Sequence, residues 1–261
     1  MRNEYMPNNM LTNPEELLYC TMSIGEGLLA SGAEISRVED TICRICTAFG
    51  ADRVDVFTIT SSIVVTISSK DFGVLTQTRR IKKTQYNLHR LEKLNQLSRK
   101  ICSSISPVST DDIWTELNEI DKTPGYSFWQ MMLFYALISS SFCIFFGGSA
   151  PDAIASAIIG ILLKLVQKWL DKTDINHFIH TFLCSIIGGL TACLLIKCGI
   201  GESFELISIG NIMLLIPGIT MTNSIRDMFS GDMISGLLCF VEAMLLAIFI
   251  ALAFVLTSTF L

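Results

Sequence analysis

The sequence predicts a membrane α-helical bundle of about five transmembrane helices, preceded by a small cytoplasmic α+β domain. Three observations carry that expectation. After Gly125 the chain becomes a series of apolar segments, each near the ~20 residues a helix needs to cross a bilayer. Charge is unevenly divided, with 14 of the 19 Lys and Arg and 16 of the 24 acidic residues before position 128. Upstream of residue 122 the hydrophobic period alternates between that of a helix and that of a strand. The whole chain has 261 residues, is 51% hydrophobic and only 16% charged. Its mean hydropathy is +0.52, whereas an average soluble domain carries roughly a quarter charged residues.

The N-terminus is polar and has no apolar core of the kind a cleavable signal peptide carries. Asn13-Pro14-Glu15-Glu16 reads as a helix start, with Asn as the cap and Pro at the first helical position. That helix runs to about Ala30, where Ser31-Gly32 breaks it. A second helix is expected over Glu34–Phe49, with Ser36-x-x-Glu39 as its capping box and Gly50 as its stop. The period then becomes two. Val54, Val56 and Ile59, then Ile63, Val65 and Ile67, predict two strands joined at Thr60-Ser61-Ser62, and Val74–Arg80 predicts a third. A long amphipathic helix from about Thr84 to Cys102 presents Leu88, Leu91, Leu94 and Leu97 or Ile101, and Pro107 stops it. A short helix over Asp111–Ile120 leads into the membrane. Residues 1–122 are thus expected to form the cytoplasmic domain.

Residues 123–261 are expected to form the transmembrane domain, with spans near 128–147, 151–170, 177–197, 204–225 and 233–257. The small face Ala153, Ala155, Ala157 and Gly160 suggests close helix packing in the second. Lys164, Lys168 and Lys172 place one link inside, as does Arg226, while Gly147-Gly148-Ser149-Ala150 falls outside. The expected protein is therefore multi-pass in the cell (plasma or inner) membrane, with its N-terminal domain cytoplasmic and its C-terminus outside. Trp129 and Trp169 fall at the inner interface.

Several chemistries find no support. The acidic balance and the absence of a basic face interleaved with aromatics argue against nucleic acid. There is no Walker motif, dinucleotide-binding glycine pattern, nucleophile elbow or zinc signature, so neither an enzyme nor any cofactor or metal is expected. His177 and His180, one turn apart, have no further ligand in register and read as interface histidines. The nine cysteines, Cys43-x-x-Cys46 among them, are a poor disulfide framework and read as buried thiols. Arg79-Arg80-x-Lys82-Lys83 is the one basic cluster, either a solvated edge or a contact with anionic headgroups.

The fourth apolar segment is the most informative. Pro217-Gly218 sits deep within it. Proline removes a backbone donor and clashes with the preceding turn. Such breaks are either ordinary kinks or the lining of a solute site. Beyond the break, Thr220, Thr222, Asn223 and Ser224 offer hydroxyl and amide groups, for a polar solute or for helix–helix hydrogen bonds. Arg226-Asp227-x-x-x-Gly231-Asp232 closes the segment, as a turn or as an inner gate. Glu242 lies two to three turns inside the last span. A carboxylate at that depth is expected to face the bundle interior or water, where it would carry a proton or pair with a base such as Lys164. Asp152 starts the second span, as a helix cap or at the outer mouth of a pathway. The candidate pathway residues are Asp152, Pro217, Gly218, Asn223, Arg226, Asp227, Asp232 and Glu242.

Gly25-Glu26-x-Leu28-Leu29-Ala30-Ser31-Gly32-Ala33-Glu34-x-x-Arg37-Val38-Glu39 resembles the opening motif of the threonine/serine exporter family. Pro217-Gly218-x-x-x-x-Asn223-x-x-Arg226-Asp227-x-x-x-Gly231-Asp232-x-x-x-Gly236, with Glu242-Ala243 beyond it, is similar to that family's membrane signature, and Gly147-Gly148-x-x-x-Asp152 fits too. The resemblance covers about residues 12–257 and extends only to the longer first half of the two-half members. It implies a split system, in which a smaller membrane protein supplies the second half, as a homo- or hetero-oligomer. It also implies proton-driven export of small polar solutes, either amino acids such as threonine and serine or dicarboxylates such as succinate. Glu34, Arg37 and Glu39 are expected to form a local ion-pair network at the corner between the first two helices, with gating or docking of the partner as the alternative. A membrane-anchored sensor and a channel are the readings from other classes.

Overall fold

Asn13 opens the first helix as its spacing predicts: its side chain accepts the backbone N–H groups of Glu15 and Glu16. The computed structural model describes residues 13–82, 86–104, 108–123, 125–173 and 175–260. The chain divides into two compact units. One comprises the residues up to Pro124 together with Asn223–Leu238, and the other comprises Gly125–Thr222 with Cys239–Leu261.

The first unit begins with α1 (Pro14–Ala30) and α2 (Ile35–Ala48). Between them Gly32 adopts a φ of +94°, a left-handed conformation that glycine takes without steric cost. Three strands follow, β1 (Arg53–Ile59), β2 (Ser62–Ser69) and β3 (Gly73–Arg80), as an antiparallel meander in the order β1-β2-β3. Val65 of β2 faces Val56 on one side and Gln77 on the other. Alternation sends Ile63, Val65 and Ile67 into the core with Leu17, Met22, Ile24, Val38 and Ile42. Each such side chain, fully buried, contributes roughly 1.5–3 kcal/mol. The helices α3 (Leu88–Ser103) and α4 (Thr110–Asp121) follow the sheet. α3 starts at Leu88, later than the expected Thr84, because Asn87 caps it by accepting the Arg90 N–H. Leu88 is consequently exposed, and the buried stripe is Leu94, Leu97 and Ile101. Positions 83–85 and Pro107, on which the expected start of α3, its stop and one residue of the basic cluster fall, lie outside the described residues.

The second unit holds α5 (Phe128–Phe145), α6 (Ala150–Leu170), α7 (His177–Lys197) and α8 (Phe204–Ile212), with the start of α9 (Gly218–Ser230) and most of α10 (Met233–Ser258). Four of these, α5, α6, α7 and α10, are long and apolar enough to cross a bilayer. The expected fourth span, 204–225, is not one helix. It is divided into α8 and α9 by turn residues between Ile212 and Gly218. Pro217 cannot continue the helical ladder, and the N–H groups before it are taken locally: Leu215 and Ile216 both donate to the Ile212 carbonyl. The expected small face of α6 packs closely. Ala153, Ala155 and Gly160 are buried. A Cβ at Gly160 would stand 2.7 Å from the Tyr135 carbonyl oxygen of α5.

Candidate functional site

The candidate residues fall into three settings. The first is a charged corner within the first unit. α2 begins at Ile35, and its N-cap residue, Glu34, makes no side-chain cap hydrogen bond. The first N–H groups of a helix need acceptors. Here the Asp227 carboxylate, 192 residues along the chain, accepts the Ile35 N–H at 3.4 Å. Asp227 is 5% exposed, and the partial positive charge of the helix N-terminus suits a carboxylate there. Two further links run the same way. The Asn223 side-chain amide donates to the Gly32 carbonyl at 3.2 Å, and Arg226 forms an ion pair with Glu34. Asp232, which directly precedes α10, accepts the Gly236 N–H through its backbone carbonyl at 2.9 Å and donates its own N–H to the Asp227 carbonyl, also at 2.9 Å.

Two carboxyl groups at this corner hold their protons more tightly than exposed ones do. Burial raises Asp227, which lies outside the apolar spans, from an ordinary carboxyl value to about 6. Asp232 and Glu34 push the same way, while the Ile35 N–H and Arg226 hold it down in part. Burial also raises Glu39, against the lowering effect of its hydrogen bond to Thr58, with Asp232 adding to the rise. The expected local network of Glu34, Arg37 and Glu39 is not what forms. Glu34 turns to Arg226, Glu39 accepts the Thr58 N–H at 2.8 Å, and Arg37 is exposed. The expected Ser36–Glu39 capping box is absent too, because α2 already begins at Ile35, so that Ser36 is not its cap, and Glu39 is engaged by the strand.

The second setting is the interior of the second unit. Asp152 is 2% exposed. Its Oδ2 accepts the Ser149 N–H at 3.0 Å and the Ser149 hydroxyl at 2.7 Å. Its Oδ1 accepts the Glu202 and Ser203 N–H groups at 2.6 and 3.0 Å. One carboxylate thus caps α6 and fastens the loop before α8. Nearby lies a polar cluster the sequence did not single out. The Ser139 hydroxyl lies 2.8 Å from Asn211 Oδ1 and 2.6 Å from the Ser156 hydroxyl, and Asn211 Nδ2 donates to Ser156 Oγ at 3.2 Å and to the Ile207 carbonyl at 2.8 Å. All three residues are buried. Gly210 makes room for them, since a Cβ there would fall 2.5 Å from Ser156 Oγ. The available signal was an asparagine within the apolar run Phe204–Ile216.

The third setting is the break and the last helix. Pro217 accepts the Met221 N–H through its carbonyl at 3.0 Å, and Gly218 opens α9 with nothing within 4 Å of the place a Cβ would take. The backbone at Gly218 is not in the left-handed region. Glu242 lies on the last long helix, α10. Within this chain it is exposed on α10 and does not face the interior of its own bundle. Lys164, its expected base, lies over the Tyr135 ring at 5.0 Å. An ionised group left in the hydrocarbon costs about 3 kcal/mol on insertion scales.

Comparison with known proteins agrees with the motifs. The family model ThrE, threonine/serine exporter, matches residues 19–261. A Klebsiella aerogenes protein named "Probable succinate transporter subunit YjjP" is 27% identical over 236 residues, covering 89% of each chain. Its namesake in Escherichia coli is 23% identical over 85% of each. The "Threonine/serine exporter" of Corynebacterium glutamicum is 21% identical over 85% of this chain but only 46% of its own length. No solved structure matches the chain.

Proposed function

The chain belongs to the threonine/serine exporter family, and from that premise we propose that it is one subunit of a secondary-active, proton-coupled exporter of small polar metabolites. The observation that carries the reading is the charged corner. Asn223, Arg226 and Asp227, just beyond the broken fourth segment, meet Gly32, Glu34 and Ile35 of the opening motif. A helix break followed by a gate-like cluster of titratable groups is what a solute pathway with alternating access needs.

The first cargo reading is an amino acid of the threonine/serine type, after the family's description. The second is a succinate-type dicarboxylate, favoured by the two relatives matched along most of their length, both named for succinate. The word subunit in those names supports a partner, as does the 46% coverage of the Corynebacterium glutamicum protein. On this reading a smaller membrane protein supplies the remaining helices. The protein spans the cell membrane several times, with the N-terminal domain in the cytoplasm and the C-terminus outside.

The test is counterflow of labelled serine, threonine and succinate in proteoliposomes under an imposed pH gradient, with and without the second membrane protein. Flux of one solute that needs both chains and follows the gradient is expected, and it names the cargo. No flux of any of the three from a folded complex would overturn the exporter reading and favour a membrane-anchored sensor. Flux that ignores the gradient would favour a channel.

A further inference from the structure

α10 is the most apolar of the four long helices, with a hydropathy of 2.7. The stripe it turns towards its own chain is Ala243, Leu246, Ile250, Ala253 and Phe254, all buried. The opposite side is open: Val241, Leu245, Ile248 and Leu252 are between 42% and 50% exposed. Glu242 lies at the edge of that open face and is itself exposed.

Its depth follows from length alone. The helix has 26 residues, so at 1.5 Å per residue it is about 39 Å long, and Glu242 sits about 14 Å from its start. A hydrocarbon slab of ~30 Å has only ~9 Å of play along such a helix. Wherever the slab falls, Glu242 remains about 5 Å or more inside it. A glutamate side chain is too short to reach far beyond that, and lipid tails offer a carboxylate no donor. Lys164, the base the sequence offered as its partner, lies over the Tyr135 ring. Another outward helix face in this unit differs in kind. On α5 a shallow groove is lined by Leu137, Ile138, Ser141, Phe142 and Phe145, and lipid can cover such a surface.

We propose that the α10 face bearing Glu242 is the seat of a second membrane protein, which closes over the carboxyl and presents a hydroxyl, amide or basic side chain to it. The proposal rests on the two-chain reading above and adds the surface. The occupant is a separately made helical chain equivalent to the part of the longer relatives that this chain does not cover. More than half the length of the Corynebacterium glutamicum exporter lies outside the match, whereas the Klebsiella aerogenes subunit is matched over 89% of its length. Glu242 then lies at the seam of the two chains, where a titratable group is shielded from lipid and open to a pathway running between them.

A photo-crosslinking residue placed at Val241, Leu245, Ile248 or Leu252 in the full chain, in native membranes, tests this against the same residue at Leu137 or Phe142. The expected result is an adduct with one smaller multi-pass membrane protein from the α10 positions and not from the α5 positions. Glu242→Leu should lower the yield of that adduct about tenfold while leaving the chain in the membrane at its usual level. Adducts joining two copies of this chain, or adducts with lipid alone, would overturn the proposal. Adducts with a smaller membrane protein from α5 in place of α10 would overturn the assigned surface yet leave the two-chain transporter standing.

Discussion

Asp152 offers the sharpest separation between a structural and a transport role. Its two oxygens accept four hydrogen bonds, from the Ser149 N–H and hydroxyl and from the Glu202 and Ser203 N–H groups. Asparagine has the same shape but replaces one acceptor with a donor. Turning its NH2 towards Ser149 lets the hydroxyl reverse, but the Ser149 N–H then faces another donor. One charge-assisted bond is lost outright, worth about 2 kcal/mol. The remaining bonds lose their ionic character, which costs about 1 kcal/mol more. Asp152→Asn should therefore destabilise the protein by about 3 kcal/mol, or roughly 6–12 °C in melting temperature for a chain of this size. The assay is a thermal melt of purified protein in one detergent at pH 7, with counterflow measured per folded molecule. A melt within 2 °C of the parent would refute the acceptor argument. Transport lost with the melt unchanged would return Asp152 to the solute pathway.

Asp227 should make stability depend on pH. Its carboxyl lies at about 6, above the ordinary 3.8, chiefly because it is buried, so the folded state holds the proton more tightly than the unfolded one. Its contribution is complete below about pH 4 and is lost as pH rises through 6. Melts from pH 4 to 8 should show that decline, Asp227→Asn should flatten it, and an unchanged slope would be a contradiction. Gly210→Ala would place a Cβ 2.5 Å from Ser156 Oγ and 2.6 Å from the Ser139 carbonyl oxygen, whereas Gly218→Ala meets nothing within 4 Å. The first should cost about 1–3 kcal/mol and the second within ~0.5 kcal/mol, and equal melts would show that the polar cluster gives way easily. Glu242→Gln should abolish proton-coupled flux with membrane level and melting temperature retained, and normal coupled flux would sink the proton-carrier role.

What the sequence made legible was what period and punctuation encode. Alternation at Val54 and Val56, then at Ile63, Val65 and Ile67, marked two paired strands, because a slip of one residue would turn Ile63, Val65 and Ile67 to the surface; Ile59 was out of phase with it, and Thr58 is the buried residue at the end of β1. Asn13-Pro14 and Gly50 marked the ends of helices through local backbone chemistry. The start of α3 was missed because the leucine spacing extends past Asn87, whose cap ends the pattern at Leu88. Pro217-Gly218 announced a break, but hydropathy could not show that it divides one span into two short helices. Least legible was the corner. Glu34, Arg37 and Glu39 are close in sequence and of opposite charge, yet Glu34 pairs with Arg226, Glu39 accepts from Thr58, and Asp227 takes the Ile35 N–H between them. Spacing along a helix reports neighbours on that helix and is silent about a carboxylate 192 residues away. The buried Ser139 was hidden for a related reason: it stands in a run of three serines, and a helix turns only one of them inward.

The compact unit built on the opening motif is finished by residues Asn223–Leu238, and this sets an order of events during synthesis. Residues 125–222 must leave the ribosome before Asp227 exists to accept the Ile35 N–H or Arg226 to meet Glu34. At ~5–20 residues per second, that is a delay of roughly 5–20 s. Throughout it the start of α2 lacks its acceptor and Glu34 its counter-charge, while most of the apolar helices are already entering the bilayer. The first domain begun is thus not the first completed, and its final contacts close only as the last long helix is being made.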